Sequence, residues 1–199
     1  MTRHQTELER RAQILRAARA VFVERGYLSA RVDDIAKRAG LSKGAVYFYY
    51  ESKRELFLQL VREEQEATYR FLEDAEKDSR PAQIKLLDLG RQYLGYFAGL
   101  KTPPRFFLVS TEAAIRDDEI REELSATHER FVDATMRILA QGMAEGTFRP
   151  MEPAIVAQLF KAMIDGFAGE AAIGIRPDPQ QLAESGISAI LHGIMAQPR

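Results

Sequence analysis

The sequence predicts an all-α protein in two parts, a small N-terminal three-helix head and a larger helical domain. Three observations predict it. Apolar residues recur at i, i+3, i+4 and i+7 nearly throughout, with no period-two alternation of strand length. Prolines and glycines fall at intervals of helix length and punctuate the periodic stretches. The charge is also asymmetric: residues 1–54 carry 12 Lys and Arg against 6 Asp and Glu, whereas the remaining 145 carry 16 against 23.

The first helix starts at Thr6, where Thr6-Glu7-Leu8-Glu9 fits a capping box, and turns Ile14, Leu15, Ala18, Val21 and Phe22 to one face. Gly26 ends it. A second helix over 32–39 presents Val32, Ile35, Ala36 and Ala39 inward, and Gly40 makes the turn. Ser42 caps a short third helix ending near Tyr50, and Ser52 with Glu55 forms a capping box that opens a long helix through Lys77. Pro81 opens a helix to Gly99, and the Pro103-Pro104 pair opens the next. Gly146, Pro150 and Pro153 separate a long segment over 119–145 from a helix over 154–173. The break Arg176-Pro177-Asp178-Pro179 supplies Asp178 as N-cap and Pro179 at the first position of a final helix to Ala196.

Helix, tight turn, short helix and tight turn over Val32–Leu56 make a helix-turn-helix. It lies in the most basic part of the chain, where a polyanion is the natural partner. With Leu41, Val46 and Tyr50 turned to the core, the third helix presents Lys43, Gly44, Ala45, Phe48 and Tyr49 toward a groove. Small Gly44 and Ala45 let the backbone come close to bases. Tyr47 and Tyr49 offer hydroxyls to phosphate oxygens, and Lys53, at the start of the next helix, adds a cation to the positive end of a helix dipole. Arg3, Arg10 and Arg11 are charges an N-terminal arm would carry toward the minor groove.

Gly26-Tyr27, Asp34-Ile35-Ala36, Ala39-Gly40-Leu41-Ser42, Val46-Tyr47, Tyr49-Tyr50 and Ser52-Lys53 together resemble the DNA-binding domain of the TetR family of bacterial transcriptional regulators, over about the first 55 residues. The resemblance implies a DNA-binding domain over 1–54 and a helical ligand-binding and dimerisation domain over 55–199. It gives Lys43, Gly44 and Ala45 the base-reading positions, Tyr47, Tyr49 and Lys53 the phosphates, and Phe48 a thymine methyl, with the capping Ser42 also at the DNA-binding surface. The chain departs from the family at the start of the second helix, where Ala30-Arg31 replaces the usual Thr, and Arg31 takes over the phosphate contact.

The resemblance also implies a cavity between the central helices of the larger domain. Tyr93, Tyr96, Phe97, Phe107, Met136, Leu139, Met143, Phe160, Met163 and Phe167 form a deformable apolar set for it, with Thr111 and His128 as polar groups able to orient a ligand. A dimer interface is expected on the last two helices: Ile155, Leu159, Ala162 and Gly166 on one, Gly186, Ala189, Ile190, Gly193 and Ile194 on the other. Glycine inside a helix costs about 1 kcal/mol relative to alanine, and close helix approach is the simplest reason to tolerate three of them.

Other classes fare poorly. There is no cysteine, and His4, His128 and His192 are too widely spaced to suggest a metal site. GxSxG, GxxxxGK[ST] and GxGxxG are all missing, and Asp117-Asp118-Glu119 lies in a charged run with arginines, so no enzyme and no cofactor are expected. No apolar run spans a membrane and no signal segment opens the chain, which makes the cytoplasm the expected location. The leading expectation is a homodimeric repressor that binds a palindromic double-stranded DNA operator and is released by a small apolar effector. The rival is a helical protein-interaction module that reads no DNA.

Overall fold

A computed structural model describes residues 3–99, 104–175, 178 and 181–195. Among them the elements are α1 (Arg3–Ser29), α2 (Val32–Ala39), α3 (Lys43–Tyr49), α4 (Lys53–Lys77), α5 (Ala82–Gly99), α6 (Arg105–Ala114), α7 (Asp118–Ala144), α8 (Pro153–Ala172) and a π-helical segment (Leu182–Ile187) that runs into α9 (Ser188–Ile194). No strand forms among the described residues; one antiparallel bridge joins Phe148 to Met195. The expected class is the observed one.

Two boundaries differ from the sequence reading. Arg3, His4 and Gln5 contain no breaker, so α1 starts before Thr6. At its other end it is broken at Gly26, whose φ of 73° and ψ of 165° leave the helical region, and a further turn continues to Ser29. Arg10 and Arg11 therefore sit on a helix and not on an extended arm; the side chain of Arg3 lies outside the described residues. In the final break, Asp178 accepts the Gln181 N–H on its carboxylate at 3.3 Å, as a capping residue does; Pro179 and Ala196 lie outside the described residues.

The chain divides into two compact units. The first comprises Met1–Gln65 with Arg105–Leu124, the second Glu66–Pro104 with Ser125–Arg199. These units do not coincide with the expected boundary at 54/55 and are discontinuous, because α6 and the start of α7 pack with the helix-turn-helix. The first core contains Ile14, Leu15, Ala18, Val21, Phe22, Val32, Ile35, Val46 and Tyr50, joined by Leu56, Phe57, Leu60, Phe106, Ala113 and Ile120. An aromatic chain links these elements: the Phe57 ring lies 5.0 Å from Phe22, 4.6 Å from Tyr27 and 5.0 Å from Phe106. Each such pair adds about 0.5–1.5 kcal/mol to what its burial contributes.

The second core gathers Leu72, Leu86, Leu89, Tyr93, Phe131, Ile138, Leu139, Phe148 and Leu191. Tyr93 lies 5.4 Å from both Phe71 and Phe131, edge to face with each.

Candidate functional site

The helix-turn-helix is set by local chemistry. Four residues of α2, namely Val32, Ile35, Ala36 and Ala39, are buried, and the helix stops where Gly40 takes φ 66° and ψ 33°. The Leu41 N–H then reaches the Ala36 carbonyl at 2.9 Å and the Gly40 N–H the Lys37 carbonyl at 3.2 Å, which closes the helix end. Ser42 Oγ accepts the Ala45 N–H at 3.1 Å and caps α3, which begins at the next residue. Val46, fully buried, anchors the inner face. Lys43, Gly44, Tyr47 and Phe48 consequently look outward: Tyr47 is 44% and Phe48 80% exposed. Ala45 and Tyr49 are half-buried, and Tyr49 leans on the core.

Three helix ends of this unit are closed by side chains distant in sequence. The Lys53 ammonium donates to the carbonyls of Tyr27 at 2.8 Å, Ala30 at 3.1 Å and Leu28 at 3.2 Å, with the Tyr27 ring centre 4.6 Å away. Gln13 Nε2 donates to the Ala39 carbonyl at the end of α2, at 2.7 Å. Arg11 Nη1 donates to the Tyr49 carbonyl at the end of α3, at 3.2 Å, and its guanidinium lies 5.6 Å and 5.4 Å from the Tyr49 and Tyr50 ring centres. Cations at helix C-termini also meet the negative end of the dipole. Together these contacts fix α3 on α1.

For Lys53, expected at a phosphate, the structure shows the ammonium turned to the protein's own carbonyls. An ammonium has three donors, and here each has a carbonyl. Burial pushes its pKa below the ordinary lysine value. Arg11 is likewise turned onto the protein and not toward a minor groove. Both roles, and that of Gln13, escape sequence reading because their partners lie 23 to 38 residues away.

The outward cations differ. Lys43 Nζ pairs with Asp33 at 3.0 Å, and that hydrogen bond raises its pKa. Both partners are exposed, so the pair is weak and readily exchanged for a phosphate or base edge. Arg31 is exposed at the start of α2, where its backbone N–H donates to Asp34 at 3.3 Å, while Asp34 also pairs with Arg25 at 2.9 Å. Among the described residues its guanidinium has no carboxylate partner. The surface thus offers a small-residue approach at Gly44, an exposed apolar ring, a tyrosine hydroxyl and two available cations, a set that matches groove and backbone chemistry of DNA.

The second unit contains a cavity of about 60 Å³ lined by Leu86, Leu89, Gly90, Leu94, Phe131, Phe160, Met163, Ile164, Phe167, Ile190 and Leu191, all apolar. Of the residues expected there, Phe160, Met163 and Phe167 line it. Tyr93 and Leu139 are buried in the core, with Phe97, Met136 and Met143 packed against it, and Tyr96 stacks against Phe71 and Phe97. Phe107 and Thr111 belong to the first unit, and the Thr111 hydroxyl donates to the Phe107 carbonyl at 2.9 Å; His128 is on an exposed face of α7. The α5 stripe Leu86, Leu89, Gly90 and Leu94 is helical spacing that an aromatic-weighted reading passes over.

Ile155, Leu159, Ala162 and Gly166 form an exposed stripe on α8, continued by Met163 at 37% exposure; Ile155 and Leu159 are 56% and 60% exposed. On the last helix Ala189 and Gly193 are exposed and Gly186 half-buried, whereas Ile190 lines the cavity and Ile194 is buried within the chain. Added Cβ atoms at Gly166 and Gly193 would meet open space within the chain. Among the described residues no three His, Asp or Glu side chains gather as a metal site, and no helix is long and apolar enough to cross a membrane.

Comparison with known proteins agrees with this architecture. Residues 14–60 match the profile of bacterial regulatory proteins of the tetR family, and residues 104–196 that of the C-terminal region of BetI-type transcriptional repressors. The HTH-type transcriptional regulator YfiR of Bacillus subtilis is 33% identical over 161 residues, 79% of this chain and 78% of its own. In fold, the chain is similar to NalD, the secondary repressor of the MexAB-OprM multidrug efflux pump in Pseudomonas aeruginosa, with a TM-score of 0.81, 22% identity and coverage of 98% and 100% of the two chains. The regulator FadR of Bacillus subtilis, solved with stearoyl-CoA, gives a TM-score of 0.73 at 24% identity over 92% and 98%.

Proposed function

The chain belongs to the TetR family of bacterial transcriptional regulators, and from that premise we propose that it is a repressor that binds a palindromic DNA operator as a homodimer and leaves it when an apolar effector fills the second unit. The observation that carries this reading is the outward face of α3. Val46 and the Ser42 cap hold the helix, while Phe48, Tyr47, Lys43 and Gly44 are left to solvent. In a groove, Lys43 and Gly44 would approach base edges, with Ala45 beside them; Phe48 would meet a thymine methyl, and Tyr47 and Arg31 the phosphates. Ser42, Tyr49 and Lys53 would set the helix from behind.

The exposed stripe on α8, with Ala189 and Gly193, supports an isologous interface. A two-fold axis there would present two copies of α3 to half-sites of a palindrome.

The cavity supports the effector's class. Its lining is apolar, and the alkyl chain of stearoyl-CoA, the ligand in the FadR complex, has the chemistry such a lining receives. At about 60 Å³ it is far below the roughly 300–1,000 Å³ of ligand pockets. An effector must therefore bind an expanded arrangement, and that differential affinity is what shifts the equilibrium. Helices α4 and α7 contribute residues to both units, which gives the change two continuous routes to the first.

DNA binding followed against salt tests the reading. Lys43→Ala should alter base preference, and Phe48→Ala and Tyr47→Phe should weaken operator binding by about tenfold or more. Unchanged affinity and preference in all three would overturn it.

A further inference from the structure

Outside the apolar cavity, the second unit has a larger recess of about 430 Å³, lined by Ala75 and Glu76 of α4, Lys85 of α5, and Ala134, Arg137, Ile138 and Gln141 of α7. The four α7 residues share one face at i, i+3, i+4 and i+7. Lys85 stands in the inward stripe of α5, between Ala82 at 0% and Leu86 at 6% exposure, and is itself only 7% exposed. A lysine so enclosed is expensive unless its charge has a partner. Its direct hydrogen-bond partner is neutral: among the described residues, Lys85 Nζ donates to Gln141 Oε1 at 2.9 Å and makes no ion pair in contact, although, after the hydrogen bonds from Arg80 and Gln141, its charge helps hold the Asp78 and Glu145 carboxyls below their ordinary pKa.

Nearby acids are committed elsewhere. Glu145 accepts the Ala82 N–H at 3.1 Å and Gln141 Nε2 at 2.5 Å; Asp78 is held by Arg80 at 2.7 Å; Glu76 pairs with Arg137. Gln141 thus bridges Lys85 and Glu145, which orients its oxygen toward the ammonium. Two donors of Lys85 remain, and Arg137, 60% exposed on its side chain, can leave Glu76 at small cost. The recess therefore has a buried cation, a guanidinium fork at its edge and apolar walls at Ala75, Ala134 and Ile138.

We infer that this recess binds a small organic oxyanion, a carboxylate or phosphate held between Lys85 and Arg137 with its apolar part on Ala134 and Ile138. The site is separate from the apolar effector cavity, shares no lining residue with it, and does not depend on DNA binding.

Calorimetric titration of the full chain at constant ionic strength tests it, with inorganic phosphate and butyrate as probes and tetramethylammonium as the cationic control. The expected result is saturable binding of at least one anion, one per chain, weakened about tenfold or more in Lys85→Met and in Arg137→Ala, the loss expected for a charge-assisted hydrogen bond. Binding of phosphate alone identifies a phosphate site; binding of butyrate identifies a carboxylate site. Should Lys85→Met fail to fold, the surface change Arg137→Ala carries the test. No saturable binding of either anion, equal binding of the cation, or unchanged affinity in the folded variants overturns the inference.

Discussion

Replacing Lys53 by Met removes one ammonium and leaves the methylene stem in place. In the wild type that ammonium serves three carbonyls, at 2.8, 3.1 and 3.2 Å, where α1 gives way to α2. A hydrogen bond from a charged donor contributes about 1.5–3 kcal/mol. The three contacts do not add: the site is half-buried, water reaches the Leu28 carbonyl in the variant, and a single group makes all three. The net loss is about 2 kcal/mol, which for a chain of 199 residues is a fall in melting temperature of roughly 4–8 °C. Thermal melts followed by circular dichroism measure it. DNA binding supplies the second readout. Each phosphate contact adds about 0.9 to the slope of log affinity against log salt, so a Lys53 engaged with carbonyls predicts weaker binding with an unchanged slope. A variant of wild-type stability whose slope falls by about one would show that the ammonium turns out to the DNA, and would refute the inward role.

Arg11→Ala should cost about 1 kcal/mol of stability through the lost contact at the end of α3 and its two rings, and should lower operator affinity without changing base preference; a selection over randomised sites separates the two effects. Leu159→Glu places a charge in the exposed α8 stripe and should yield a folded monomer in analytical ultracentrifugation, as should Gly193→Leu; a dimer of normal stability in both would remove this face from the interface. Gly142→Ala should destabilise the second unit by about 1–3 kcal/mol, because a Cβ there overlaps the Phe148 ring. Chemical denaturation checks it, and wild-type stability would mean that the ring moves freely.

What the sequence made legible is what neighbouring residues decide. The turn at Gly40, the caps at Ser42, Ser52 and Asp178, and the inward stripes of α1 and α2 each depend on partners within a few positions, and each forms. Long-range partners were invisible, so Lys53 and Arg11 read as free charges near DNA when both close helix ends. The aromatic and methionine set identified side chains that are mostly buried or half-buried, Met163 excepted, but not which face would receive them. Phe107 shows the difficulty: it lies on α6, which belongs to the first unit, where the neighbouring Phe106 packs beside Phe57, and not around the cavity. Ile190 and Ile194, expected at an interface, are turned toward the chain's own interior. On the α-helical stretch over Ser188–Ile194, Ile190 and Ile194 are four apart and face the second unit's own cavity and core, while Ala189 and Gly193, one position earlier in each turn, stay exposed.

Sequencing fragmented bacterial DNA retained by the purified protein at near-physiological salt tests the proposed DNA reading most directly, with Phe48→Ala in parallel. The expected result is a small set of enriched palindromic sites that the variant loses although it melts as the wild type does. Retention without enriched sites, or the same sites retained by Phe48→Ala, would contradict operator reading by the outward face of α3.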